Sequence, residues 1–186
     1  MLPLILDVEN LTIAIIGSGP QASRRLEMVD AAGAAYVRVY ADQPEPEMVE
    51  LAGDRLIESW PVESDIAACH LIYVANVPDA EAEAFTAMGR AHKTLVNVED
   101  VKPLCDFHVP AIVRRGEMLL TASTGGQSPG LARRLKADLS EKYPEAWAER
   151  VTELAAKRDQ WRREGASFGE LISRTNDVID EKGWLS

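Results

Sequence analysis

The sequence predicts an α/β protein in which helices cover both faces of a parallel sheet. Short apolar runs rich in β-branched residues alternate with stretches of helical spacing over about the first hundred residues, a pattern typical of strand–helix–strand units. The predicted strands lie at 11–16, 35–41, 55–60, 70–76 and 93–98, and the helices between them lie at 23–34, 44–53 and 79–93. Right-handed crossovers between such strands give a doubly wound topology.

The pattern changes after Pro103. AIVRRGEMLLTAST predicts two β segments around the turn Arg115-Gly116-Glu117, and GGQSPGLARRLKADLSEKYP predicts a helix. From Glu145 onward the pattern predicts helices, with too few apolar residues to form a core of their own. We therefore divide the chain into residues 1–112, 113–144 and 145–186, and expect the last segment to pack on the first domain or on a partner subunit.

Composition narrows the function classes. The net charge of −10 argues against nucleic-acid binding, which requires a basic face. No apolar run reaches the ~18 residues of a membrane span, and the apolar N-terminus has no basic region or cleavage site of a signal peptide. Two cysteines are too few for a disulfide framework or a thiolate zinc site. These observations predict a cytoplasmic protein with no membrane or nucleic-acid partner and no bound metal.

GSGPQA follows the first predicted strand and matches the G-x-G-x-x-A form of the dinucleotide fingerprint. The first glycine permits a tight turn, the second lets a pyrophosphate approach the backbone, and the alanine allows close helix–strand packing. The motif predicts a Rossmann-like domain whose cofactor contacts come from Gly17, Ser18, Gly19, Pro20, Gln21 and Ala22. Asp42, about 25 residues after Gly17, either holds a ribose hydroxyl or is a solvated turn residue. No arginine immediately follows Asp42, which favours NAD over NADP.

Polar residues follow the strand that ends in LVNV. Asn97, Glu99 and Asp100 lie where the carboxyl end of a parallel strand would face a ligand. A partly desolvated carboxylate there has a raised pKa and can act as a general base, although a solvated turn fits the same residues. The sequence alone leaves both interpretations open.

Two other features have a functional and a structural interpretation. In STGGQSP, Ser128 before Pro129 is typical of a helix N-cap, and the segment could also face a ligand. Arg133 and Arg134, with Arg114, Arg115 and Lys136, form a basic cluster in an acidic chain; it could bind a polyanion or form surface salt bridges. His108 lies close to Asp100 in sequence and could face the same cleft.

In this order, the motifs resemble those of the precorrin-2 dehydrogenase / sirohydrochlorin ferrochelatase family, which is also the N-terminal half of the fused sirohaem synthases. The resemblance runs from Leu2 to about Arg150 and includes N-V-x-D, F-x-x-P-A and S-T-G-G-x-S-P-x-L-A-R. It implies an NAD-binding Rossmann domain, a small α+β dimerisation region at 113–144 and a helical C-terminal part, acting as a homodimer. It also implies NAD-dependent oxidation of precorrin-2 to sirohydrochlorin.

The resemblance assigns roles to individual residues. The catalytic acid/base of the family falls on Asp100, and its hydroxyl before the paired glycines falls on Thr124. Asn76 and Val77, in the loop after the strand HLIYVA, and Asn97 are expected to contact the cofactor. Thr124, Ser128, Arg133, Arg134 and His108 are expected to contact the carboxylate-rich substrate.

The chain also departs from the family pattern. The loop NVPDAEAE is less polar than usual, and His108 and Glu99 stand where apolar residues are common. No methyltransferase half is present in this sequence, so precorrin-2 would have to be made by another enzyme. Two alternatives remain at this stage: an enzyme that also inserts Fe²⁺ into sirohydrochlorin, and a dinucleotide-binding module without catalysis.

Overall fold

The computed structural model describes residues 1–185 and contains two compact units. The first unit is Met1–His108 and the second is Val109–Ser186. Where the sequence analysis separated three segments, the structure groups the predicted dimerisation region and the helical tail in one unit. No helix within residues 1–185 is both long and apolar enough to cross a membrane.

The first unit is a parallel five-stranded sheet with helices on both faces, which confirms the predicted fold class. The strand order is β3-β2-β1-β4-β5, and every neighbouring pair is parallel. In chain order the elements are β1 (Thr12–Ile16), α1 (Pro20–Ala31), β2 (Tyr36–Tyr40), α2 (Pro46–Ala52), β3 (Leu56–Ile57), α3 (Glu63–Ala67), β4 (Leu71–Val74), α4 (Asp79–His92) and β5 (Leu95–Val98).

The order of the strands reverses between β1 and β4. From β1 the chain proceeds outward to β2 and β3, and it then returns to place β4 on the other side of β1. In open α/β sheets the crevice at the carboxyl ends of two such strands is the usual ligand site. The fold therefore places the predicted phosphate turn, which follows β1, beside the loop that follows β4.

Burial explains why the central strands read as continuous apolar runs. Residues Ile13 to Ile16 of β1 are each at most 1% exposed, because helices cover both faces of the sheet. Leu71 to Val74 of β4 are buried in the same way. The predicted strand at 55–60 is shorter than expected, only Leu56–Ile57, since it forms the edge of the sheet and pairs on one side only. The five-residue helix α3 was not predicted.

The second unit combines a β-hairpin with three helices. Its elements are β6 (Ala111–Arg115), β7 (Met118–Ala122), α5 (Pro129–Lys142), α6 (Trp147–Arg163) and α7 (Phe168–Glu181). Within the described residues the helical tail packs on the hairpin of its own unit, and the expected packing on the first domain or on a partner subunit stays a prediction. Helix α6 packs against β7 and α7, and a Cβ on Gly116 in the hairpin turn would lie 3.3 Å from Ala148.

Buried residues hold the second unit together. Trp147 and Leu171 are buried, and Trp147 forms edge-to-face ring contacts with Tyr143 and Trp184. The guanidinium group of Arg115 is buried, donates hydrogen bonds to the Tyr143 carbonyl and the Ser140 side chain, and pairs with Glu145. Arg115 therefore has a structural role and is not part of an exposed basic cluster, contrary to the interpretation from the sequence.

Gly89 offers a direct test of the packing between α4 and β5. A Cβ at this position would lie 2.5 Å from Val96 Cγ2 and 3.5 Å from Ile72 Cδ1. We expect Gly89→Ala to lower the free energy of unfolding by about 1–3 kcal/mol, because overpacking outweighs the gain in helix propensity. Gly130→Ala is the matched control, since nothing lies within 4 Å of its Cβ position. Urea unfolding measures both; equal stability of the two variants would contradict the packing described here.

Candidate functional site

The turn between β1 and α1 requires glycine at its first position. Gly17 has φ +119°, and a Cβ there would lie 1.8 Å from the carbonyl oxygen of Ala75. Its N–H donates to the Tyr40 carbonyl at 2.8 Å, so the turn is fixed to β2 as well as to the end of β4. No other residue fits this position, and the three strand ends consequently meet at one edge of the sheet.

The N-terminus of α1 faces the opening above this turn. Gly19, with φ +95°, is its N-cap residue, and Pro20 occupies the first helical position without an N–H to donate. The next two N–H groups belong to Gln21 and Ala22. Ala22 is fully buried, so α1 lies close against the sheet, as the fingerprint predicts. The helix end therefore offers backbone donors and positive potential to an anion.

In this structure those two donors are satisfied by Asn76. Its Oδ1 accepts from Gln21 N at 3.1 Å and from Ala22 N at 3.3 Å, and its Nδ2 donates to Gln21 Oε1. Asn76 has φ +56°, in the left-handed region, in the loop after β4. The structure thus brings Asn76 to the phosphate turn, while Val77 is half-buried beneath it with Cγ1 3.0 Å from the Cβ position of Gly17.

An open cleft of about 350 Å³ lies at the carboxyl edge of β1, β2 and β4. It contains two carboxylates and no lysine or arginine side chain. Its lining residues are Ser18, Gly19, Pro20, Asp42, Gln43, Glu45, Trp60, Asn76 and Pro78. Five of the nine, including Asp42, belong to the predicted cofactor-binding set.

Sequence reasoning missed the other four lining residues. Trp60 and Glu45 are the informative ones, because an indole offers a flat surface and Glu45 adds a second carboxylate. The Glu45 N–H donates to Ser18 Oγ at 2.9 Å, which joins the loop after β2 to the phosphate turn. Only their place in the sequence could have indicated a ligand contact, because each residue follows a strand at the edge of the sheet where ligands bind.

Asn97 supports the loop that follows β5. It is buried, and its Nδ2 donates to the Phe107 carbonyl at 2.8 Å and contacts Cys105 Sγ at 3.6 Å. Asp106 accepts from Val96 N at 3.1 Å and pairs with Arg90. The amide donors of Asn97 are thus used within the chain, and its predicted contact with the cofactor stays a prediction that only Oδ1 or the backbone could fulfil.

Asp100 lies in the turn directly after β5. It is exposed and has φ +59°, a left-handed conformation that aspartate tolerates better than most residues. It does not line the 350 Å³ cleft, although it follows the strand next to β4. Glu99 is half-buried and forms an ion pair with Arg25 of α1. This pair fixes the Asp100 turn to the helix that begins at the phosphate turn.

The remaining predicted residues lie at the end of the first unit or in the second. His108 is the exposed last residue of the first unit. Thr124 Oγ1 accepts from Ser128 N and donates to the Ser128 carbonyl, both at 3.1 Å, and Ser128 Oγ caps α5 by accepting from Leu131 N. Arg133 and Arg134 are exposed, and neither pairs with a carboxylate among residues 1–185.

Both cysteine thiols have a raised pKa, which disfavours the reactive thiolate form. Burial raises the pKa of the Cys69 thiol to about 11, and the nearby positive charge of Arg38 opposes this shift. Burial also raises the pKa of Cys105, whose Sγ donates to the Val98 carbonyl at 3.1 Å. Within the described residues 1–185, no three His, Cys, Asp or Glu side chains converge to hold a metal ion.

Comparison with known proteins identifies one family and several relatives. The family model described as "Putative NAD(P)-binding" matches residues 4–111. The chain is 36% identical over 183 residues to the siroheme synthase of Methylococcus capsulatus and 30% identical over 179 residues to that of Nitrosococcus oceani. Each alignment covers 87% of this chain but only 38% of the relative.

A solved structure is similar over nearly its whole length. SirC, a precorrin-2 dehydrogenase, superposes with a TM-score of 0.79 at 27% sequence identity. The match covers 100% of this chain and 93% of that chain. The similarity therefore extends through both units, beyond the segment that the family model matches.

The raised thiol pKa of Cys69 predicts slow alkylation. In a Cys105→Ser background, Cys69 should react with iodoacetamide at pH 8 about a hundredfold more slowly than a free thiol of pKa 9.0, because two further pH units are needed to ionise it. The rate should rise with pH until about pH 11. The converse Cys69→Ser background isolates Cys105, which is less buried and should react faster. Rapid labelling of Cys69 at pH 8 would contradict this account.

Proposed function

The chain belongs to the NAD(P)-binding family whose model matches residues 4–111, and we propose that it is an NAD-dependent dehydrogenase that oxidises precorrin-2 to sirohydrochlorin. One observation carries the proposal. The dinucleotide cleft and the turn that bears Asp100 lie at the same carboxyl edge of the sheet, and the Arg25–Glu99 ion pair joins that turn to α1. The motif resemblance stated from the sequence is confirmed by the similarity to siroheme synthases and to SirC.

Charge in the cleft supports NAD as the cofactor. Asp42 and Glu45 line it without a compensating basic side chain. A carboxylate can accept hydrogen bonds from ribose hydroxyl groups, whereas the 2′-phosphate of NADP would face two negative charges. The N-terminus of α1 supplies the positive potential for the pyrophosphate.

Asp100 is the proposed general base. Oxidation of precorrin-2 removes a hydride and a proton, and bound NAD⁺ supplies the hydride acceptor. The Asp100 carboxylate accepts the proton, and its exposure lets it release that proton to water between turnovers. Its left-handed backbone lies between Glu99, which pairs with Arg25, and the strand that carries Asn97, so the turn that bears the carboxylate is held at the strand end.

The basic side chains of α5 are the proposed substrate contacts. Precorrin-2 carries many carboxylates, and a chain of net charge −10 needs a local excess of positive charge to attract it. Because Arg133 and Arg134 have no carboxylate partner among residues 1–185, the salt-bridge interpretation of this cluster loses support. Thr124 and Ser128, which close the loop before α5, and His108 remain proposed substrate contacts.

A homodimer is part of the same proposal. None of the 14 residues of α5 is buried, and Leu131 and Leu135 on it are exposed. A two-stranded hairpin is marginally stable alone, and a second copy that packs on the hairpin and α5 would bury this surface. The role of residues 113–144 in dimerisation, and the cytoplasmic location, stay predictions.

Insertion of Fe²⁺ into sirohydrochlorin, with the metal as substrate, also stays a prediction of the family resemblance. An assay with sirohydrochlorin and Fe²⁺ but without NAD⁺ separates it from dehydrogenation. The non-catalytic alternative gives no role to the arginines of α5 that have no carboxylate partner among residues 1–185, and an activity assay of the wild-type protein tests it.

The decisive experiment is an anaerobic absorbance assay with enzymatically generated precorrin-2 and NAD⁺ or NADP⁺. We expect the spectrum of sirohydrochlorin to appear with NAD⁺, and Asp100→Asn to lower kcat at least about a hundredfold, the usual contribution of a general base. Asparagine is chosen because it tolerates φ +59° and so leaves the turn intact. Asp54→Asn, at an exposed aspartate in the short 3-10 turn before β3, is the matched control.

Each outcome of this assay is informative. Loss of activity in Asp100→Asn with unchanged NAD⁺ affinity supports the base. Full activity in this variant moves the base elsewhere while leaving the reaction in place. NAD⁺ binding by the wild-type protein without any oxidation of precorrin-2 favours the non-catalytic module.

Charge reversal on α5 tests the substrate contacts. Arg133→Glu should raise KM for precorrin-2 about tenfold or more and leave the Kd for NAD⁺ nearly unchanged, because the reversed charge repels substrate carboxylates. Arg163→Glu, at an exposed arginine at the end of α6, makes the same change in net charge. Equal effects of the two variants would show that only the overall charge matters, which would contradict a local polyanion site.

A further inference from the structure

We propose that Asn76 is an internal competitor of the dinucleotide: its side-chain carbonyl occupies the pyrophosphate-binding end of α1 and must withdraw before the cofactor binds. The inference rests on the proposed function only in taking the cofactor to be a dinucleotide. It concerns the N–H groups of Gln21 and Ala22, which Asn76 Oδ1 satisfies at 3.1 and 3.3 Å.

The amide oxygen of Asn76 lies where a bound phosphate oxygen would need the same two donors. The Oδ1 atom lies 3.2 Å from where a Cβ on Gly19 would be, which is the space that the second glycine of the fingerprint leaves for phosphate oxygens. Both a phosphate oxygen and an amide carbonyl are hydrogen-bond acceptors, so they need the same donors. Pro20 has no N–H and Ser23 N donates to the Gly19 carbonyl, so Gln21 and Ala22 carry the two N–H groups that the first turn of α1 offers to a ligand, and Asn76 holds both.

The surroundings hold the asparagine in its capping orientation. Asn76 Nδ2 donates to Gln21 Oε1, which fixes the amide with its oxygen towards the helix. Its φ of +56° and its place beside Ala75, whose carbonyl is in close approach to Gly17, direct the side chain across the phosphate turn. The Asn76 side chain stabilises the cofactor-free protein, as side-chain oxygens at helix N-termini do in general. Because these hydrogen bonds must break when the cofactor binds, their free energy lowers the affinity for the cofactor.

The test compares NAD⁺ binding by the wild type and Asn76→Gly. Glycine accepts φ +56° without strain and removes the competing oxygen. We expect the Kd for NAD⁺ to fall about fivefold, the factor that corresponds to an average N-cap. The Tm of the cofactor-free protein should fall as well, and hydrogen exchange of the Gln21 and Ala22 amides should accelerate. Titration calorimetry reports binding.

Two variants complete the design. Gln21→Ala removes the acceptor that orients the amide, so it should tighten NAD⁺ binding in the same direction but by less, and it keeps the readout if Asn76→Gly folds poorly. Lys93→Gly is the matched control, because Lys93 also has left-handed φ (+63°) but lies at the C-terminus of α4, outside the cleft lining. It should leave the Kd for NAD⁺ unchanged.

The outcomes separate this inference from the proposed function. Tighter binding by Asn76→Gly with faster exchange of the two amides supports the competition. Unchanged or weaker binding, while the wild type binds NAD⁺, overturns it and makes Asn76 a direct ligand or a bystander. If neither the wild type nor any variant binds NAD⁺, the dinucleotide cofactor itself is wrong and both proposals fail.

Discussion

The contact between the Gly17 backbone and the Ala75 carbonyl is the constraint on which the site depends. A single Cβ at Gly17 would come within 1.8 Å of that oxygen, so the turn after β1 and the loop after β4 touch backbone to backbone. This closeness exists because β4 returns to the side of β1 opposite β2. It places Asn76 over the N-terminus of α1 and aligns the loops after β1, β2 and β4 around one cleft.

Polar anchors beside this contact hold the turn after β5. The buried amide of Asn97 bonds the Phe107 carbonyl, Asp106 bonds the backbone of β5, and Glu99 pairs with Arg25. Each anchor satisfies a polar group that burial would otherwise leave costly. Together they fix a left-handed residue, Asp100, whose backbone conformation persists only where its neighbours determine it.

The two units differ in the charged groups that they expose. The cleft of the first unit contains carboxylates and a helix N-terminus, which suits a cofactor with ribose hydroxyls and a pyrophosphate. The second unit carries the arginines of α5, exposed and without carboxylate partners among residues 1–185. A chain of net charge −10 thus carries a local group of positive charges on one helix, which is the feature that the proposed polyanion site needs.

The sequence by itself determined the parallel sheet, the phosphate turn and the cap of α5, because these depend on local spacing: apolar runs, G-x-G-x-x-A, and Ser128 before Pro129. Tertiary structure decided what depends on neighbours distant in the chain. It assigned Arg115 to the core of the second unit, paired Glu99 with Arg25, shortened β3 at the sheet edge and brought Trp60 and Glu45 into the cleft. The periodicity of the sequence does not encode such contacts. The partner of a side chain depends on the crossovers, which bring strands 50 or more residues apart into register. Ile13 of β1, for example, lies beside Leu71 of β4.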